Sequence, residues 1–112
     1  IVEGAMPIEF LRSRFAGAIP PMVEGASFSI RLPARSVYTL DQYVESGIIT
    51  AAQLDTLSDA VLSRKNILVS GGAGSGKTTL SNAIIDRISK LSDIGTRIVI
   101  IEDTRELQCT AP

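Results

Sequence analysis

The chain has no histidine and a single cysteine, Cys109. A lone thiol cannot close an internal disulfide, and without histidine or a second cysteine it has no partner for a zinc-type site. That usage fits a reducing cytoplasm, and Cys109 reads as a small strand-end residue. Nor is there a surplus of one charge, since 11 basic residues stand against 12 acidic ones for a net charge of −1. Nonspecific nucleic-acid affinity depends on clustered cations, so direct binding of DNA or RNA is not expected. No apolar run approaches the roughly 20 residues of a membrane span, and no basic-then-apolar leader opens the chain. The sequence starts at Ile1 and stops at Pro112 straight after an expected strand, and both ends read as cut.

What is present points to a packed protein. Hydrophobic residues make up 45% of the 112 positions. That is enough for a core and suits one small domain or parts of two. Arginine outnumbers lysine. Arginine favours fixed, bidentate contacts to phosphate or carboxylate, so individual arginines deserve scrutiny.

The character of the chain changes along its length. Residues 1–36 hold all three phenylalanines and every proline except Pro112. Ser27–Leu32 alternates apolar and polar residues, which predicts a strand stopped by Pro33. This stretch reads as the end of a small α+β N-terminal domain. Residues 37–49 read as a linker with a short helix, Leu40–Glu45, opened by a Thr39/Gln42 capping box and ended by Gly47. Thr50 and Gln53 repeat the device and open a helix to about Ser63, with Leu54, Leu57 and Val61 on one face. Residues 50–112 then read as the first part of a nucleotide-binding domain. Asn66–Ser70 predicts a buried parallel strand, Lys77–Leu91 a helix with Leu80, Ile84, Ile88 and Leu91 in phase, and Arg97–Ile101 a second buried strand. Strand, glycine loop, helix and strand make a right-handed βαβ unit. The fold class is α/β.

The glycine loop carries the chemistry. Gly71, Gly72, Ala73, Gly74, Ser75, Gly76, Lys77 and Thr78 match G-x-x-x-x-G-K-[ST] in full. Residue frequencies would give that match by accident in well under about 1% of chains of this length. A triphosphate needs many donors close together with no side chains in the way. Glycines let successive backbone N–H groups turn inward, and the following helix adds its unpaired N-terminal donors and positive dipole end. Lys77 reaches the β- and γ-phosphates, Thr78 offers its hydroxyl to Mg²⁺, and Thr79 falls near the α-phosphate. ATP and Mg²⁺ are therefore the expected ligands. The blander alternative, a strand-to-helix turn with a solvated lysine, does not explain the complete motif.

Glu102 and Asp103 follow four apolar residues. Such a pair could hold Mg²⁺ in the manner of a Walker B acid, but little more than one helix separates it from Lys77. In many P-loop ATPases that acid comes a strand later. An acid at the carboxyl end of a parallel strand still faces the ligand crevice. Glu102 is therefore the candidate for polarising the attacking water or acting as general base, and Asp103 a candidate for the metal. A helix cap or solvated acid pair is the plain alternative. Upstream, Arg31 and Arg35 flank the Pro33 break and could reach over a nucleotide as arginine fingers. Taken alone they read more simply as solvated arginines, and Arg12 and Arg14 read similarly and more weakly.

The runs RFAGAIPP, SFSIRLPARSVYTLDQYVESGIIT, RKNILVSGGAGSGKTTLSNAII and RIVIIEDTRELQC together resemble the secretion ATPases of type II and type IV systems, most closely their conjugal-transfer members. The resemblance extends from about Arg12 onward. It implies a homo-hexameric ring of two-domain subunits, with ATP between an N-terminal domain and a RecA-like P-loop domain. It implies a cytoplasmic protein, peripheral at the inner face of the inner membrane, that works with inner-membrane components of a secretion or conjugation machine. Glu102 and Asp103 match the family's acidic box, whose glutamate is implicated in hydrolysis. Arg31 and Arg35 match arginines that contact phosphate in related enzymes, and Arg14 has the same role by weaker analogy. The family's Walker B acid and histidine box fall outside this sequence, so this stretch is expected to supply most of the nucleotide cradle without the complete catalytic set. With two expected strands it is also expected to be marginally stable alone. A type II secretion or pilus-retraction ATPase, a P-loop small-molecule kinase and a nucleotide-gated module without turnover remain as alternatives.

Overall fold

The computed structural model describes residues 1–7, 13–34, 36–103 and 105–109. The chain divides into two compact units, Ile1–Arg35 with Asp103–Arg105, and Ser36–Glu102 with Glu106–Pro112. At the coarse level the protein is α/β, with a three-stranded antiparallel sheet and three helices among the described residues.

The first unit holds the sheet, with strands β1 (Val2–Ala5), β2 (Arg14–Ala18) and β3 (Ser27–Arg31) in sequential order. The expected strand at Ser27–Leu32 is β3, one residue shorter. In the β2–β3 register Phe15 faces Ile30 and Gly17 faces Phe28, while in β1–β2 Val2 faces Gly17 and Gly4 faces Phe15. Side chains alternate along a strand, so these residues share the apolar face and Glu3, Arg14, Ser29 and Arg31 fall on the other. Phe15 and Phe28 stack with ring centroids 6.4 Å apart. A Cβ on Gly17 would stand 3.1 Å from the Phe15 ring, so glycine there makes room for the aromatic cover. β1 and β2 were not legible beforehand, because VEGA and RFAGA are short and rich in glycine and alanine, which strands disfavour.

The second unit holds helices α1 (Leu40–Glu45), α2 (Ala51–Leu62) and α3 (Lys77–Leu91). All three lie where periodicity and caps place them. Both capping boxes are formed: Thr39 Oγ1 accepts from Gln42 N while Gln42 Oε1 accepts from Thr39 N, and Thr50 and Gln53 repeat the exchange. The helix ends are as definite. Gly47, at φ +70°, donates to Val44 O and Ile48 donates to Tyr43 O, closing α1 with a Schellman motif. Arg64, at φ +51°, plays the same part after α2, with Lys65 donating to Ala60 O. A non-glycine residue accepts that left-handed position at a cost in strain.

Leu40, Ala83 and Ile84 form the buried core, and Leu54, Leu57, Val61, Leu80 and Ile88 pack around it. The predicted apolar faces of α2 and α3 are thus the ones that meet. Burial also raises the pKa of the Tyr43 phenol, with a smaller push from Tyr38. Leu40 is only 1% exposed, although it comes from a helix of six residues. Leu40→Ala should therefore lower stability by about 2–5 kcal/mol, the usual cost of a buried leucine cavity. Urea unfolding followed by far-UV circular dichroism measures it. A loss under about 1 kcal/mol would mean that α1 is peripheral to this core.

The expected βαβ unit is not formed. Neither 66–70 nor 97–101 is a strand. A parallel strand exists only through the ladder it shares with a neighbour, and among the described residues neither segment has one. Their apolar side chains are half-covered at best. Val69 packs against the core, whereas Leu68 is 91% and Ile101 92% exposed. The apolar runs are real, but hydrophobicity alone did not make these segments buried strands.

Candidate phosphate-binding site

The loop between Val69 and α3 has the backbone that its glycines allow. Gly74 and Gly76 take left-handed φ values of +72° and +87°, and Gly76 is the N-cap of α3. No side chain caps that helix end, so its first N–H groups are left for another acceptor. Ser75 folds back onto the loop, its Oγ donating to Gly72 O at 2.9 Å. A Cβ on Gly71 would come within 2.6 Å of that Oγ, so a side chain there would push the serine hydroxyl off this position. The Lys77 ammonium also donates to Gly72 O, which holds its charge over the loop. Left-handed glycines, an open helix N-terminus and an adjacent ammonium are the donor set that an anionic phosphate chain requires.

Thr78 comes one residue into α3, half-buried, and its Oγ1 donates to Glu106 Oε2 at 3.1 Å. Thr79 follows, also half-buried. Asn82 lies four residues after Thr78 and so on the same side of the helix. Its Nδ2 donates to Glu106 O at 3.4 Å and its Oδ1 accepts from Gln108 N at 2.8 Å. Only 3% of Asn82 is exposed, so a buried amide clamps the 106–108 backbone to α3. Glu102 joins the same network, its Oε2 accepting from Glu106 N at 3.1 Å and Leu107 N at 3.0 Å. The helix is anchored on another side by Arg87, which donates to Ser58 Oγ at 3.1 Å and pairs with Asp41 at 3.6 Å.

The structure therefore brings Lys77, Thr78 and Glu102 into one unit with the loop, linked through Glu106. Asp103 is exposed and counts with the first unit. Arg31 ends β3, exposed, with Arg14 as its register partner. Arg35, like Arg12, lies outside the described residues. Sequence reasoning missed Asn82 and Glu106. Neither carried a local signal, since Asn82 sits between Ser81 and Ala83 on a mixed helix and Glu106 reads as one more acid after Glu102 and Asp103.

The donor chemistry suits a magnesium nucleotide. Among the described residues no group of three or more Cys, Asp or Glu side chains forms a metal cage. Magnesium does not need one, because it is held by one or two protein oxygens together with substrate phosphates and water. Thr78 Oγ1 has the chemistry of such an oxygen. A concavity of about 490 Å³ lies at the opposite end of α3 and is lined by Arg64, Lys65, Arg97 and Asp93 among others. It is the weaker candidate, since cations beside the C-terminal ends of α2 and α3 compensate the helix dipoles.

Comparison with known proteins bears out the resemblance to type II and type IV secretion proteins. The family model described as "Type II/IV secretion system protein" matches residues 7–112. The chain is 49% identical over 111 residues to a "Probable conjugal transfer protein TrbB" of Sinorhizobium fredii, covering 99% of this chain and 33% of that protein. It is 48% identical over 111 residues to a "Conjugal transfer protein TrbB" of Rhizobium radiobacter, with the same coverage. A "Type IV secretion system protein VirB11" of Bartonella quintana is 39% identical over 93 residues, covering 80% of this chain and 25% of that protein. The chain thus spans about a third of the length of the first two relatives. No solved structure matches it.

Proposed function

The chain belongs to the Type II/IV secretion system protein family, and from that premise we propose that it is the nucleotide-binding segment of a TrbB-like ATPase that powers conjugative type IV secretion. The observation that carries the reading is the loop Gly71–Thr78, with its left-handed glycines opening α3 and its threonine hydroxyl held by a carboxylate. In the full-length protein this segment completes a RecA-like domain, and residues 1–36 form the end of the domain before it.

Each residue then has a role. The backbone N–H groups of Gly71–Gly76 and the first turn of α3 bind the phosphates. Lys77 lies over the β- and γ-phosphates, and Thr79 packs near the α-phosphate. Thr78 and Asp103 serve the magnesium ion, which when bound neutralises charge on the phosphates. Glu102 orients the attacking water and accepts its proton on the carboxylate. Arg31 and Arg35 contact phosphate from the N-terminal domain and couple nucleotide state to its movement. The subunits assemble as a hexamer at the cytoplasmic face of the inner membrane, beside the membrane components of the transfer machine. No helix among the described residues is long and apolar enough to cross a membrane.

The test compares ATP binding with phosphate release in the full-length protein. A motor binds ATP and releases phosphate without any added small-molecule acceptor. Binding without release would identify a nucleotide-gated assembly module instead. Phosphate transfer that requires a small acceptor would identify a kinase.

A further inference from the structure

We propose that Glu106 is a positioning residue for the metal-binding hydroxyl of Thr78, and that it ties the phosphate loop mechanically to Glu102. The proposal rests on the nucleotide-site reading above and extends it to a residue which that reading does not use.

The argument starts from what a threonine hydroxyl must do beside a cation. It ligates through an oxygen lone pair, and its proton must go elsewhere. A hydroxyl free to rotate spends part of its time with the proton turned toward the cation. A carboxylate that takes the proton removes that orientation, turns the lone pairs outward and makes the oxygen a better donor, as partners behind metal ligands do generally. Thr78 Oγ1 donates to Glu106 Oε2 at 3.1 Å, so that arrangement is present.

Glu106 is itself held in place. Its carbonyl accepts from Asn82 Nδ2, and Asn82 Oδ1 accepts from Gln108 N at 2.8 Å, so a buried amide on α3 fixes the backbone on either side of Leu107. Thr78 and Asn82 share one side of the same helix, which sets the distance from the hydroxyl to the clamp. The amide N–H of Glu106 in turn donates to Glu102 Oε2, which also accepts from Leu107 N. One residue therefore touches both candidate functional groups. Its side chain holds the Thr78 hydroxyl, and its main chain holds the Glu102 carboxylate. A shift of Thr78 against the 106–108 segment is transmitted to Glu102 through two hydrogen bonds.

The test uses the full-length protein, a non-hydrolysable ATP analogue and Mn²⁺ as a paramagnetic stand-in for Mg²⁺, with free Mn²⁺ read by electron paramagnetic resonance. Glu106→Ala should weaken Mn²⁺ binding in the presence of the analogue by about 10- to 100-fold, the usual effect of losing a partner behind a metal ligand. Glu106→Gln keeps an acceptor oxygen and should weaken it less, by roughly 3- to 10-fold on the same footing. Affinity for the analogue without metal should change by less than about twofold, because Glu106 orients the hydroxyl and not the phosphate donors. In a Thr78→Val background Glu106→Ala should have no further effect on Mn²⁺, since there is no hydroxyl left to orient. Unchanged Mn²⁺ affinity in Glu106→Ala, or an equal loss with and without the Thr78 hydroxyl, overturns the proposal while leaving the nucleotide reading intact. If the alanine variant does not fold, Glu106→Gln decides, and wild-type Mn²⁺ affinity in it overturns the proposal. Failure of the unaltered protein to bind the analogue at all overturns the nucleotide reading and this proposal together.

Discussion

Lys77→Ala should reduce ATP turnover by the full-length protein by at least about 100-fold, the effect of removing one preorganised donor from a developing charge. The Lys77 ammonium bonds to the Gly72 carbonyl, over the left-handed turn that opens α3. Its contribution is electrostatic, and no backbone N–H can replace a full positive charge. Alanine also has the best helix propensity, so position 77 at the start of α3 should tolerate it without loss of fold. Phosphate release at saturating ATP measures the effect, with circular dichroism as the check on folding. Near-wild-type turnover would mean that hydrolysis occurs at another site.

The second large effect belongs to Glu102. Its Oε2 accepts two backbone N–H bonds, from Glu106 and Leu107, so the side chain braces the segment as well as serving the proposed chemistry. Alanine would remove both functions at once. Glutamine is the informative change, because its amide oxygen can accept the same two bonds while it cannot accept the proton of the attacking water. Glu102→Gln should lower turnover by about 10²- to 10⁴-fold, the usual worth of a general base. ATP affinity should stay within about threefold, because the phosphate donors are elsewhere. If Glu102→Gln turns over ATP like wild type and Glu102→Ala unfolds, then Glu102 is a structural brace only.

These two expectations show how unevenly the site was legible. The loop could be read at once because its chemistry needs fixed residue types at fixed spacing, and glycine, lysine and threonine appear in that order. The helices were legible for a similar reason. A capping box is a local exchange between residues three apart, and both boxes formed where Thr39/Gln42 and Thr50/Gln53 marked them. Glu106 and Asn82 were not legible. Their significance comes from hydrogen bonds across 28 and 24 residues, which no local pattern encodes.

The strands divide along the same line. β3 announced itself by alternation, whereas β1 and β2 depend on antiparallel partners and carry too little β-forming sequence to show it. The segments at 66–70 and 97–101 gave the opposite error. Their composition suits buried strands, yet a ladder requires a neighbour as well as a composition, and Leu68 and Ile101 remain outside the core. Periodicity reports what a face would bury if something covered it, not whether anything does. The arginines stand differently again. Arg31 ends β3 with Arg14 as its register partner, while the coupling role proposed for Arg31 and Arg35 concerns a bound nucleotide.

The central claim is that Gly71–Thr78 is a phosphate-binding loop, and a calorimetric titration of the full-length protein with a non-hydrolysable ATP analogue and Mg²⁺ tests it most directly. Saturable binding is predicted, weakened at least about tenfold in Lys77→Ala, a loss of roughly 1.4 kcal/mol. Equal affinity in the two proteins, or no binding by the unaltered one, would contradict it.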